Sequence, residues 1–78
     1  MTTVEITKEP VELYKILKFE GLVSSGGEAK LVIADGRVFV NGQIETRKRR
    51  KIIAGDLIEF AGDQMQIQLQ KTNIQGPQ

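Results

Sequence analysis

The sequence contains no cysteine and no histidine among its 78 residues. Without cysteine the chain forms no disulfide and offers no thiolate ligand to zinc, which suits a reducing compartment. Without histidine it lacks the commonest general base and the commonest metal ligand. The serines and carboxylates show no spacing that would replace these groups. We therefore expect a protein that is not an enzyme and that has no metal site and no cofactor.

Long apolar runs are missing as well. None approaches the ~20 residues that a helix needs to cross a membrane. The first ten residues, MTTVEITKEP, lack the basic start and apolar run of a secretory signal peptide. A composition of 40% hydrophobic and 27% charged residues is typical of a globular domain with one modest core. We expect a single cytoplasmic domain over residues 1–70 that has no contact with a membrane.

Positive charge is concentrated in one short stretch, TRKRRK, at residues 46–51. The whole chain has 11 basic and 10 acidic residues and a net charge of only +1. Without the five adjacent basic residues, six basic and ten acidic residues remain, which gives a net charge of −4. The chain is therefore a mildly acidic body that carries one concentrated basic site.

The first half of the chain predicts a short strand at residues 3–7 and then two helices. The first helix is expected to begin at Pro10 and to end before Gly21. The second is expected to begin after Ser25, with Glu28 reaching back in a capping box, and to end at Gly36. Their buried faces are predicted to consist of Leu13, Ile16 and Leu17, and of Ala29, Val32 and Ile33 with Leu31 at the flank. The glycines after Ser25 also suit a phosphate cradle, but the acidic Glu28 favours the capping interpretation.

The second half of the chain predicts antiparallel strands. Asn41-Gly42 follows the strand Arg37 to Val40 and is a strong hairpin signal. A second pair is expected over residues 57–60 and 64–70, with a turn around Gly62-Asp63 between them. The strict alternation of residues 64–70 places Met65, Ile67 and Leu69 inward and the glutamines outward.

The basic stretch is expected to leave the sheet. A regular strand that buried both Ile44 and Ile52 would also bury Lys48 and Arg50 beside them, at a cost of several kcal/mol for each unpaired charge. The strand should therefore break between about Thr46 and Lys51, with the charges on an exposed loop or sheet margin. We expect those charges to contribute little to stability.

Five adjacent like charges indicate a polyanionic partner. A solvated margin that protects a sheet edge, or a localisation signal, would also explain a basic run, but edge protection needs only one or two charges. Three of the five residues are arginines, whose planar side chains suit phosphate. The candidate RNA-contacting residues are Lys30, Arg37, Arg47, Lys48, Arg49, Arg50 and Lys51. A protein-interaction module that binds an acidic partner through the same loop is the alternative.

The order of these motifs resembles the small RNA-binding domain named after small-subunit ribosomal protein four, which is built on the alpha-L motif. The similarity covers about residues 10–60. The matching residues are Leu17, Gly21-Leu22, Ser25, Ala29-Lys30, Gly36 to Gly42, Ile52 and Gly55 to Ile58. The length and the Glu-Thr-Arg-Lys-Arg run are similar to those of small bacterial single-domain members.

The resemblance implies an α+β fold, with two short N-terminal helices packed on a small, mostly antiparallel sheet. It implies a monomer that binds structured RNA of the ribosomal or transfer class, with ribosome-associated proteins as further partners. Lys30 is the motif position that it carries across. Two usual basic contacts are replaced, one by Gly26 after the serine that starts the second helix and one by Glu9-Pro10 before the first. We expect residues 47–51 to take over their role.

Residues 71–78 are predicted to form a flexible tail, because they show no periodic apolar pattern and end in Gly-Pro-Gln. Deleting residues 72–78 should therefore leave the melting temperature and the RNA affinity nearly unchanged. Thermal denaturation and a binding titration measure both quantities. A melting temperature lowered by several degrees would show instead that Ile74 packs in the core.

Overall fold

The computed structural model describes residues 1–70 as two helices, a five-stranded sheet and a separate two-stranded sheet. The helices are α1 (Leu13–Phe19) and α2 (Gly26–Ala34). The strands are β1 (Thr2–Ile6), β2 (Val11–Glu12), β3 (Val38–Val40), β4 (Gln43–Ile44), β5 (Lys51–Ile52), β6 (Leu57–Phe60) and β7 (Asp63–Leu69). The α+β class expected from the sequence is confirmed. The predicted tail, residues 71–78, lies outside the described residues.

The large sheet has the strand order β1-β7-β6-β3-β4. Three of its strand pairs are antiparallel, whereas β1 lies parallel to β7. Strands β2 and β5 pair with each other outside this sheet. The predicted sheet is thus confirmed as mostly antiparallel, and β5 carries the chain away from it immediately after the basic stretch.

The hydrophobic core lies between the helices and one face of the large sheet. Both helices contribute the residues that their spacing predicts: Leu13, Ile16, Leu17, Ala29, Val32 and Ile33 are all buried. The sheet contributes alternate residues of β1, β3, β6 and β7. Full burial of one such aliphatic side chain is worth about 1.5–3 kcal/mol. Leu31, expected at the flank of α2, is exposed instead.

The end of β7 departs from the predicted alternation. Met65 and Ile67 are buried as expected, but Leu69 is 43% exposed. Leu57, the first residue of β6, pairs with Gln66, so the last residues of β7 extend past β6 with only β1 beside them. The prediction that Leu69 points into the core is therefore wrong, because the sheet is too narrow to cover it there.

Helix α1 begins three residues later than predicted. Val11 and Glu12 are held in β2 by pairing with Ile52 and Lys51, which keeps them extended and delays the helix to Leu13. Its predicted end is confirmed. Gly21 has a φ of +71° and donates its amide to the Lys18 carbonyl, while the Leu22 amide donates to the Leu17 carbonyl. This is the Schellman arrangement, which a glycine at this position permits.

Helix α2 begins with a modified capping box. The Ser25 hydroxyl accepts a hydrogen bond from the Glu28 amide at 3.1 Å, as predicted. The Glu28 carboxylate, however, accepts from the amide and the hydroxyl of Ser24, at 2.8 and 2.7 Å, rather than from Ser25. These hydrogen bonds lower the pKa of Glu28, the Ser24 amide most strongly. A carboxylate therefore occupies the start of α2, which confirms the cap and opposes a phosphate cradle.

The hairpin turn between β3 and β4 is confirmed at Asn41-Gly42. Both residues have positive φ, +53° and +83°, as a type I′ turn requires. The Asn41 side chain also donates to an Asp56 carboxylate oxygen at 3.0 Å and accepts from the Leu57 amide at 2.9 Å. These contacts join the hairpin to the start of β6, so both Asn41 and Asp56 have structural roles.

Gly42→Val should lower the free energy of unfolding by more than ~1 kcal/mol, because a β-branched residue is strained at positive φ. No other atom lies within 4 Å of the position that a Cβ would take, so a steric clash would not contribute. Gly42→Asn is the matched control, since asparagine tolerates this conformation, and it should cost less. Denaturant titration measures both. Equal stability of the valine variant and the parent would contradict the turn assignment.

Candidate functional site

The basic stretch forms a loop, residues 46–51, between the large sheet and β5. Strand β4 ends at Ile44, so the predicted break in the strand is confirmed. One premise of that prediction is wrong, because Ile44 is 60% exposed and only Ile52 is buried. The inward-facing residue next to the break is instead Glu45. Arg47, Lys48, Arg49 and Lys51 are exposed and Arg50 is half-buried, so we call residues 46–51 the basic loop.

The backbone of the basic loop is bound to the start of helix α1. The Leu13 amide donates to the Arg50 carbonyl at 2.9 Å, and the Tyr14 amide donates to the Lys48 carbonyl at 3.1 Å. The N-cap residue, Glu12, makes no side-chain capping bond. Loop carbonyls therefore satisfy helix amides that a capping side chain would otherwise satisfy. A further bond at 3.2 Å, from the Arg50 amide to the Arg47 carbonyl, closes the loop into a turn.

A buried carboxylate, Glu45, holds two of the loop arginines. The Arg47 guanidinium donates to both Glu45 oxygens, at 2.9 and 3.1 Å, and its amide adds a third bond at 2.9 Å. Arg50 donates from the other side at 2.8 Å. Glu45 is only 6% exposed and is the one polar residue buried within residues 1–70. Two of the charges expected to contribute little to stability are thus partners of a buried group, which corrects that expectation.

The arginine contacts also set the ionisation of Glu45. The Arg47 side-chain hydrogen bond is the largest cause that lowers its pKa, to about 2 from an ordinary value of 4.5. Burial opposes this change because it disfavours the charged form, while Arg50 and the Arg47 amide reinforce it. Glu45 therefore remains ionised at any pH at which the basic loop binds an anion.

A second cluster forms around the ring of Tyr14. The Lys30 ammonium, from α2, lies 4.7 Å from the ring centroid, and the Arg49 guanidinium, from the basic loop, lies 5.8 Å from it. Lys15 is 6.0 Å away. These distances fall within the range in which cations are attracted to an aromatic ring. The ring thus brings together cations from α1, from α2 and from the basic loop.

The remaining loop cations face an open cleft. Its volume is about 430 Å³, and it is lined by Arg47, Arg49, Arg50 and Lys51. Arg49 lies 3.7 Å from a Glu12 carboxylate oxygen, but its side chain is 65% exposed. No ion pair found within residues 1–70 includes Lys48, Lys51 or Lys30. Three cations without a carboxylate partner in that part of the chain therefore border the cleft or the Tyr14 cluster.

The structure brings together most of the residues that the sequence singled out. Lys30 meets Arg49 over Tyr14, whereas no contact places the Arg37 side chain in the cluster. Arg37 is exposed directly before β3, whose Val38 carbonyl accepts the Glu45 amide at 2.9 Å. It therefore lies near the start of the basic loop along the backbone.

Sequence reasoning missed two residues of the site. Tyr14 was assigned to packing, although it lies beside the buried stripe of α1 rather than on it. Glu45 was not singled out, although it is an acidic residue directly before a basic run and is followed by arginines two and five positions later. That spacing is the signal that could have identified a carboxylate clamp.

The site offers anion-binding groups rather than metal ligands. Across residues 1–70, no three acidic side chains come together in a way that would hold a metal ion. The same residues include no helix of the length and apolarity that a membrane span requires.

Comparison with known proteins identifies related chains. A family model described as the S4 domain matches residues 4–68. A protein of Escherichia coli (strain K12), named "Putative RNA-binding protein YbcJ", is 50% identical over 68 residues, which cover 86% of this chain and 97% of that protein. A protein of Bacillus subtilis (strain 168), named "Probable ribosome maturation protein RlbA", is 34% identical over 59 residues, which cover 76% of this chain and 83% of that protein.

A solved structure shows the same fold. The solution structure of YbcJ from E. coli, described as revealing an "alfaL motif involved in RNA-binding", superposes on this chain with a TM-score of 0.67. The two are 49% identical, and the match covers 87% of each chain. The family resemblance and the alpha-L motif inferred from the sequence are both confirmed.

Acid should weaken the fold through Glu45. Because its pKa is lowered in the folded state, to about 2, its ionised form stabilises the fold above its ordinary value of 4.5. That contribution should be lost as the pH falls from about 4.5 to about 2, and it should amount to roughly 1–3 kcal/mol.

Denaturant titration of the parent and of Glu45→Gln across this range measures the contribution. The glutamine variant should be less stable at pH 7, and the difference should shrink toward pH 2. Glu20→Gln, at an exposed position, is the control and should show little difference at either pH. A gap between parent and Glu45→Gln that stays constant with pH would contradict the assignment of the clamp.

Proposed function

We propose a function for this chain from the premise that it belongs to the S4 domain family. The proposed function is non-catalytic binding of structured RNA, through the basic loop and the adjoining face of α2. Residues 1–70 would act as one binding domain. The observation that carries the proposal is the convergence of Lys30 and Arg49 on Tyr14 beside the cleft of the basic loop.

Charge and exposure support an RNA backbone as the ligand. Lysine and arginine side chains that neutralise phosphates release counterions, which supplies much of the affinity for nucleic acid. The exposed cations Lys48, Arg49 and Lys51 are available for such contacts, with Lys30 and Arg37 as further candidates. Arg47 and Arg50 contact Glu45, so their share of the RNA contacts is smaller and their main role is to fix the shape of the loop.

The surface suits recognition of shape more than of base sequence. Only one tyrosine and three phenylalanines are present in the chain, and Tyr14 is covered by cations. Proteins that read single strands usually expose several aromatic rings on which bases stack. A rigid array of cations fits the fixed phosphate spacing of a folded RNA better.

The proposed RNA class is ribosomal or transfer RNA. The name of the Bacillus subtilis relative connects that protein with ribosome maturation. By analogy we propose that this chain acts in the cytoplasm as a monomer on ribosomal or transfer RNA, with ribosome-associated proteins as further partners. An acidic protein partner remains the alternative, and nuclease treatment of the material that co-purifies with the chain distinguishes the two.

The test compares two charge-matched variants. Lys48→Gln/Arg49→Gln removes two loop cations, and Lys8→Gln/Lys18→Gln removes two exposed lysines elsewhere. The loop variant should lose at least about tenfold in affinity for purified ribosomal RNA and transfer RNA. Its slope of log affinity against log salt should shrink by about 1.4 to 1.8, which is roughly 0.7–0.9 per lost contact. Its melting temperature should stay near that of the parent, because neither residue contacts Glu45.

The control variant should bind nearly as the parent does. Equal losses in the two variants would show that net charge, rather than this surface, determines binding. Equally tight binding of single-stranded poly(U) would contradict the preference for structured RNA. Retention of a co-purifying partner after nuclease treatment would favour the acidic-protein alternative.

A further inference from the structure

We propose that Tyr14 is a positioning residue that arranges Lys30 and Arg49 into one preformed anion-binding unit. This inference rests on the proposed function, because it specifies how the RNA surface is organised. Tyr14 itself does not need to touch RNA. Its ring fixes where two flexible cations lie before the ligand arrives.

The position of Tyr14 is fixed from several sides. Its amide is bound to the Lys48 carbonyl at 3.1 Å, and its half-buried side chain packs against the hydrophobic core. The ring also lies against Gly26, where an added Cβ would be 3.8 Å from ring atom Cε2. The ring is therefore held by the basic loop, by the core and by the start of α2.

The two cations come from different parts of the fold. Lys30 belongs to α2 and Arg49 to the turn of the basic loop, and their charged groups lie 4.7 and 5.8 Å from the same ring centroid. Two like charges would otherwise repel each other and point apart into solvent. The negative face of an aromatic ring attracts both, which offsets that repulsion.

Arrangement before binding matters because long side chains lose conformational entropy when a ligand fixes them. A lysine and an arginine already held on a ring lose less of that entropy, so the same phosphate contacts give higher affinity. Carboxylates provide this service for the other cations of the site. Glu45 holds Arg47 and Arg50, and Glu12 lies near Arg49 and Lys15. Within the described residues, Lys30 has the Tyr14 ring and no carboxylate partner.

Two substitutions separate positioning from packing. Tyr14→Phe keeps the ring, and its RNA affinity should stay within about twofold of the parent. Tyr14→Leu keeps an apolar side chain of similar reach but removes the ring, and its affinity should fall about fivefold, the effect of two cation–ring contacts. Melting temperatures and circular dichroism show that the compared proteins are folded. Equal affinity of the leucine and phenylalanine variants would overturn the proposal.

A double-mutant cycle provides a measurement that a purely structural role would not change. Lys30→Gln should reduce RNA affinity clearly in the parent but much less in the Tyr14→Leu background, because Lys30 is already unpositioned there. Interacting residues are non-additive in this way, whereas independent ones add. Additive losses would assign Tyr14 to packing, and the proposed RNA binding by the chain would still stand.

Fluorescence tests the same unit without RNA. Tyr14 is the only tyrosine and the chain has no tryptophan, so tyrosine emission reports this ring alone. Inorganic polyphosphate is the probe, because it has phosphate charge without bases. It should change the emission of the parent at low salt and do so more weakly in Lys30→Gln/Arg49→Gln, whereas an unchanged parent emission would overturn the proposal.

The outcomes for RNA and polyphosphate distinguish the two claims. A parent protein that binds neither ribosomal nor transfer RNA would contradict the proposed function. The polyphosphate titration would still decide whether Tyr14 organises an anion-binding unit. Binding of RNA by the parent with no dependence on the Tyr14 ring would contradict the positioning role alone.

Discussion

The site depends on the ion pairs between one buried carboxylate and two arginines. Glu45 follows β4 directly, at the point where the chain leaves the large sheet, and its charge requires compensation because it is hidden from water. Arg47 and Arg50 provide that compensation from both sides. A run of like charges that would repel itself in isolation is thereby bent into a defined turn, with Lys48 and Arg49 at its outer part.

This arrangement explains how a nearly neutral chain maintains a strongly basic surface. Some of the positive charge is used internally, against Glu45 and Glu12, to hold the loop and its neighbours in place. The remaining cations are then displayed together, and they are joined by one from α2 over Tyr14. Affinity for a polyanion thus depends less on the number of basic residues than on which of them lack an acidic partner.

Local signals in the sequence were sufficient for the parts of the fold that local physics determines. Asn41-Gly42 and the capped start of α2 each follow from the conformational preference of a few adjacent residues, and both were predictable. The delayed start of α1 and the exposure of Leu69 depend on pairing with distant strands. The roles of Glu45 and Tyr14 also depend on where the loop folds back, which residue spacing alone does not determine. The family was recognisable because its motif residues lie at local turns and caps.

The bonds from the loop carbonyls to the amides of α1 make the length of the loop a structural constraint. The carbonyls of Lys48 and Arg50 reach α1 only if the number of residues between Glu45 and Ile52 is kept. An inserted residue would shift the cations and remove the cap of α1 at the same time, whereas a changed side chain at Lys48 leaves its carbonyl in place. The loop therefore acts as a fixed-length template on which charge is adjustable, so its side chains are open to redesign for other polyanions and its residue count is not.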